Sequence, residues 1–209
     1  MKKLFLLFAA VSCSAYMAHA AAPKGYHRVN LQSVEVKDGH GEISNPVNED
    51  GFTIPSYKDD LLDIAFSFEP THVDLVLKNI GNSSLKIVWD DAIYVGGVNQ
   101  NSIGVFHAGV KYNDRENTQL PTPVLKGARL SDIIVPKDGV SWSNYFGRWM
   151  YHFILYGENR LTQLQILLPI EYKNSTREYL FTFSVNWENV KVKKRVSGSG
   201  KCYYIKLKK

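Results

Sequence analysis

The sequence predicts an all-β chain, an antiparallel β-sandwich of seven to nine short strands, and three observations predict it. Apolar residues alternate with polar ones at period two, most clearly from Tyr179 to Val192, where Tyr179, Phe181, Phe183 and Val185 share one face and Leu180 and Thr182 the other. Clusters of Gly, Asn, Asp, Ser and Pro punctuate these runs at short intervals. After the first twenty residues no segment carries a helical period. Strands following strands, with no helices between them, build sandwiches rather than α/β enzyme folds.

The first twenty residues stand apart. Lys2 and Lys3 precede an apolar run from Leu4 to Val11, and Ala18-His19-Ala20 places small residues where a signal peptidase reads. The apolar run is too short for a membrane span, and no later segment approaches roughly 18 apolar residues. The expected division is a signal peptide over residues 1–20, a β-sandwich domain over 21–195, and a linker with a basic strand or tail over 196–209. An alternative makes Cys13 a lipidation site and the chain a membrane-anchored lipoprotein, although Ala10 stands where a bulky aliphatic is usual. A Lys-Lys start before a Leu/Phe/Ala core suits a bacterial envelope protein, exported to the periplasm or beyond. With Cys13 removed, Cys202 is alone, so packing rather than a disulfide must hold the fold.

Charge is placed in blocks. Residues Lys191 to Lys209 hold eight of the 25 basic residues and none of the 20 acidic ones, and the body before them is acidic. Such a block marks an interaction tail or a lysine-protected edge strand. Nothing points to nucleic acid.

In chain order, Gly25 to Val36 reads as a first strand with a change of phase at Gln32-Ser33. Asp38 to Pro55 is mostly loop. Leu61 to Phe68 is a strand, and His72 to Gly97 reads as a hairpin whose arms flank Ile80-Gly81-Asn82-Ser83-Ser84. Leu75 and Leu77 on one arm, with Ile87 and Trp89 on the other, are the candidate core, Trp89 at its centre. Ile103 to Tyr112 reads as a returning strand, Asn113 to Arg129 as a long irregular loop and Leu130 to Val135 as a short strand. An aromatic stretch from Trp142 to Tyr156 follows. Leu161 to Ile170 and Tyr179 to Val192 pair around Lys173-Asn174-Ser175-Thr176.

Leu77-Lys78-Asn79, the polar turn Asn82-Ser83-Ser84 and Leu85-Lys86-Ile87-Val88-Trp89-Asp90 resemble small bacterial envelope proteins and lipoproteins with immunoglobulin-like sandwiches. His107-Ala108-Gly109-Val110-Lys111-Tyr112, the Pro121/Pro123 loop and Leu167-Leu168-Pro169-Ile170 extend the resemblance over about two-thirds of the chain. What it implies is an immunoglobulin-like fold far more than an activity.

No catalytic motif is found, and no metal or cofactor is expected. His27, His40, His72, His107 and His152 form no zinc-type spacing and read as scattered structural or surface residues. Asp59-Asp60 precedes a strand, and strand alternation would send Asp90 and Asp91 to opposite faces, which suits neither cation binding nor paired-carboxylate chemistry. Ser197-Gly198-Ser199-Gly200-Lys201 fails as a phosphate loop, because Arg195 replaces the first Gly and Cys202 the Ser/Thr, and it reads as a linker. Most rings from Trp142 to Tyr156 are expected in the core, with Trp142, Tyr145 and Trp149 as candidate binding residues. Tyr203, Tyr204, Lys206 and Lys208 are the candidate contacts of the tail, toward a partner's sheet or an anionic membrane surface. The expected function is a non-enzymatic envelope protein that binds another envelope protein, the alternative being a carbohydrate-binding or carbohydrate-cleaving protein using the Trp142 to Tyr156 segment.

Overall fold

The computed structural model describes residues 25–37, 39–96, 100–155, 162–189, 195–198 and 201–205. Its strands are β1 (Gly25–Glu35), β2 (Glu42–Ser44), β3 (Ser56–Lys58), β4 (Leu62–Phe68), β5 (Val73–Asn79), β6 (Leu85–Ile87), β7 (Ile93–Gly96), β8 (Asn101–Phe106), β9 (Thr122–Val124), β10 (Arg129–Pro136), β11 (Val140–Ser143), β12 (Arg148–Tyr151), β13 (Gln163–Tyr172), β14 (Ser175–Asn189), β15 (Arg195–Gly198) and β16 (Lys201–Ile205). The all-β antiparallel class is the one the sequence predicts, but the described strands outnumber the predicted seven to nine. The excess comes mostly from short strands in stretches the sequence reads as loop or aromatic segment (β2, β9, β11 and β12), while the second arm of the expected hairpin is split into β6 and β7 by a 3-10 turn. Among the described residues the only helices are three 3-10 turns.

Residues His27–Glu188 form one compact unit. Twelve strands make a continuous ladder that folds into two sandwich-like halves. One half runs β2-β3-β4-β5-β10. The other runs β1-β14-β13 and continues through β7 to β8 and through β6 to β9. The halves are joined by β10, whose Arg129 to Ile134 pair with β5 while Val135 and Pro136 pair with Phe106 and Val105 of β8. A strand that changes partners in this way turns a sandwich corner.

The core follows the alternation. Leu62, Ile64, Phe66, Leu75 and Leu77 of one half meet Leu164, Ile166, Leu168, Tyr179, Phe181 and Phe183 of the other, all with at most 1 % of their surface exposed. Removing each such side chain from water stabilises the fold by roughly 1.5–3 kcal/mol. The turn between β13 and β14 is shorter than the four residues the sequence marks. It consists of Lys173 and Asn174, both at positive φ (49° and 62°), the geometry of a two-residue hairpin turn.

The hairpin expected over His72 to Gly97 does not form. Strand β5 pairs with β4 and β10, and β6 with β13 and β9, so the connection crosses from one half to the other. Asn79 sets this corner. Fully buried, it donates from Nδ2 to the carbonyls of Ser83 and Val124 (both 2.9 Å) and accepts from Gly81 N at 3.0 Å. Nor is Trp89 in a strand. A 3-10 turn, Trp89–Asp91, interrupts the path from β6 to β7, so the opposite-face argument for Asp90 and Asp91 does not apply. Trp89 is fully buried, as are Leu75, Leu77 and Ile87.

Two further expectations are corrected, and one edge is found covered. The run Ile103 to Tyr112 is strand only as far as Phe106; beyond it lie a turn and the 3-10 turn Tyr112–Asp114. Residues 196–198, expected as linker, belong to the strand Arg195–Gly198, paired antiparallel with Lys201–Ile205 as a separate two-stranded sheet. The long edge of β1 is not bare. The Asn45 side chain accepts from Leu31 N (2.7 Å) and donates to Leu31 O (3.1 Å), blunting that edge against strand addition.

Candidate interaction surface

Strands β11 and β12 form a hairpin of their own, with Val140 opposite Tyr151, Ser141 opposite Met150, Trp142 opposite Trp149 and Ser143 opposite Arg148. Alternation puts Val140, Trp142, Trp149 and Tyr151 on one face and Ser141, Ser143, Arg148 and Met150 on the other. The tip is Asn144-Tyr145-Phe146-Gly147, closed by Gly147 N donating to Ser143 O at 2.8 Å. Gly147 sits at φ 59°, a conformation that costs a side-chain-bearing residue but not glycine.

A satellite core fixes the hairpin to the body. Phe106, Val135 and Val140 are buried together, with Val110, Tyr112, Ile133 and Trp149 packed on them. The Tyr112 ring meets Trp149 and Tyr151 edge-on (5.5 and 5.8 Å), and its hydroxyl is 2.8 Å from the Tyr151 hydroxyl. That hydrogen bond, followed by burial, raises the Tyr112 phenol above its ordinary range. Arg115 lies over Trp149 at 5.4 Å while donating to the carbonyls of Lys137 and Tyr112. The two-stranded element is therefore braced along one face, which matters because an isolated hairpin is marginal in water.

What the brace leaves uncovered is aromatic. Trp142 is 51 % exposed, Tyr145 89 %, Phe146 58 %, Tyr151 56 % and Phe153 57 %. Trp149 is half-buried and Tyr156 lies outside the described residues. The expectation that most rings of this stretch are core is thus corrected: the hairpin projects its rings from the sandwich instead of adding them to it. Arg148 holds its guanidinium 5.5 Å from the Phe146 ring.

Adjoining the hairpin, residues 107–111, Asp114 and 117–123 surround an open depression of about 600 Å3. One lining residue, His107, has partners that no local motif would show. His107 Nδ1 donates to Asp132 Oδ2 (3.1 Å), Asp132 Oδ1 accepts from the backbone N–H of Ala108 (2.9 Å) and Ile133 (2.8 Å), and the imidazole stacks on Trp89 at 4.5 Å and 5°. Trp89 donates to Thr122 Oγ1 at 2.8 Å. Gln119, buried beside them, donates to Val105 O and accepts from His107 N, while its own N–H donates to Asp90 Oδ1. The sequence did carry one signal of this arrangement. Asp132 interrupts the apolar strand Leu130 to Val135, and an acid buried in a strand needs a partner.

The acidic pairs have structural work. Asp59 accepts from Leu61 N, Leu62 N and the Tyr179 hydroxyl. Asp60 takes two hydrogen bonds from Arg177, which hold its carboxyl below the usual carboxylate range. Among the described residues no group of three or more His, Cys, Asp or Glu is placed to hold a metal ion. Tyr203 and Tyr204 lie on β16; Lys206, Lys208 and Cys13 fall outside the described residues. No family model matches this chain, and comparison with curated proteins and with solved structures finds no match.

Proposed function

We propose that the chain is an exported, non-enzymatic accessory protein of the bacterial cell envelope, whose aromatic hairpin docks onto another envelope protein. The observation that carries this reading is the group of five large rings left more than half exposed on and just beyond one braced hairpin. Apolar surface of this size on a folded domain is costly unless something covers it, and rigid aromatic side chains are the usual anchors of protein interfaces. The basic segment Lys191 to Lys209 is proposed as a second contact, toward the same partner or an anionic membrane surface.

A protein partner fits the hairpin better than a sugar does. Its rings meet edge to face, Trp142 on Trp149 at 70° and Tyr145 on Phe146 at 88°, rather than forming the flat shelf on which a pyranose stacks. The test is a photo-crosslinking phenylalanine at position 145, with position 78 on the exposed side of β5 as control, in the native cell envelope. A discrete protein adduct from 145, absent from 78 and lost in Phe146→Ala, supports the reading. No adduct from 145, or glycan binding abolished by Trp142→Ala, overturns it.

A further inference from the structure

We infer that the depression beside the hairpin is a binding site for a neutral, hydroxyl-rich ligand of the saccharide class, oriented by His107. The imidazole is held twice over, by its hydrogen bond to Asp132 and by its stack on Trp89. Asp132 is itself immobilised: only 6 % of its side chain is exposed, and both oxygens are taken, one by His107 and the other by two backbone N–H groups. Because a carboxylate only accepts, the Nδ1 proton must face Asp132. Nε2 is then the ring nitrogen left for a ligand, and no described residue hydrogen-bonds to it. A ring nitrogen fixed to this degree, on a residue that lines an open depression, suits a ligand whose O–H groups both donate and accept.

The rest of the lining supports the same class. Lys111 and Asp114 supply one charge of each sign, so an anion or a cation meets repulsion as well as attraction. Asn117 and Thr118 add uncharged donors and acceptors, and Pro121 adds an apolar C–H face. A volume of about 600 Å3 lies within the range of roughly 300–1,000 Å3 that holds small organic ligands.

The test is a titration of full-length protein carrying 15N-labelled histidine with maltotriose, cellotriose and chitotriose, and in parallel with acetate and phosphate. The expected result is a saturable shift of the His107 Nε2 resonance with at least one trisaccharide and none with the two anions. Asp132→Asn should weaken that binding at least about tenfold, since it loses a charged acceptor and the ring orientation it sets. Thr118→Val, at an exposed position that leaves the fold intact, should weaken it about threefold, one neutral hydrogen bond. Phe146→Ala, which removes the proposed protein docking, should bind the sugar unchanged, so the two sites fail separately. A His107 that responds to none of the sugars, that responds to acetate or phosphate instead, or that binds sugar equally well in Thr118→Val overturns the assignment.

Discussion

Phe66, Tyr179, Phe181 and Phe183 on one side, and Trp142, Tyr145, Phe146, Tyr151 and Phe153 on the other, are two aromatic groups of similar chemistry and opposite fate. In the first, Phe66 meets Phe181 and Phe183 edge to face across the core at 5.0 and 5.2 Å, while Tyr179 and Phe183 stack on Phe181, all with almost no exposed surface. The second stands more than half in solvent. What separates them is cover. The rings of β14 face β4 across the core, while the β11–β12 hairpin has a single braced face and ends in a free tip. Aromatic content by itself therefore says nothing about core or interface; the presence of a facing sheet decides.

The sharpest way to break this contrast is to truncate one ring from each group. Phe181→Ala removes a ring in contact with Tyr57, Phe66, Tyr179 and Phe183, and should cost about 3–5 kcal/mol, because the cavity lies between two hydrogen-bonded sheets that cannot collapse into it. Phe146→Ala should change stability by less than about 0.5 kcal/mol while abolishing the proposed docking. Urea unfolding of both variants measures the pair. Equal losses would mean that the hairpin is part of the folding core rather than a surface borne by it.

Asn79→Ala probes the corner that directs β6 away from β5. It strips two carbonyls and one N–H of their partner inside the core, and should cost about 2–3 kcal/mol by the same measurement. This corner also shows where the sequence is mute. The alternation of Val73, Leu75 and Leu77 and of Leu85 and Ile87 predicts strands correctly, but the same pattern serves a hairpin or a crossover. The arbiter is a hydrogen bond from Asn79 to Val124, 45 residues away, which leaves no local trace. His107 was unreadable for a similar reason, its partners being 25 and 18 residues distant in sequence, whereas Asp132 within an apolar strand was a visible anomaly. Trp142, Tyr145 and Trp149 were legible as candidates through their loop-rich setting. Phe146, Tyr151 and Phe153 were not, because exposure depends on what fails to pack against them.

Two glycines compare the regions at the level of the backbone. A Cβ on Gly41 would lie 2.4 Å from Tyr57 Cζ and 2.5 Å from the Lys58 carbonyl, so Gly41→Ala should cost about 1–3 kcal/mol through overpacking against β3. Gly147 has open space and a left-handed φ, so Gly147→Ala should cost about 1–2 kcal/mol from backbone strain alone, and Gly147→Asn, which tolerates that conformation, should recover most of it. Rescue by Asn at 147 but not at 41, read in thermal melts, separates the two causes.

The smallest effect concerns the one described buried polar side-chain atom without a hydrogen bond, the Tyr57 hydroxyl. Its ring lies edge-on to Tyr179 and Phe181, and burial first, then the charges of Asp59 and Asp60, push the phenol up to about 12. The sign follows from which state ionises first. Below pH 10 the phenol is protonated whether the chain is folded or not, and its contribution is constant. Between about 10 and 12 the unfolded chain ionises while the folded one resists, so stability falls as pH rises through that window. Tyr57→Phe deletes both the unpaired hydroxyl and its share of the alkaline loss. At pH 7 it should leave stability unchanged or raise it by up to about 1 kcal/mol, and the decline above pH 10 should flatten. The remainder of that limb belongs partly to Tyr179, whose phenol burial also raises. Urea midpoints at pH 7 and pH 11 decide the matter, with Tyr145→Phe at the exposed hairpin tip as the control that leaves the pH 7 midpoint in place. A loss above about 1 kcal/mol at pH 7 in Tyr57→Phe would show that the hydroxyl has a partner after all, and that the packed side of the molecule tolerates no unpaired group.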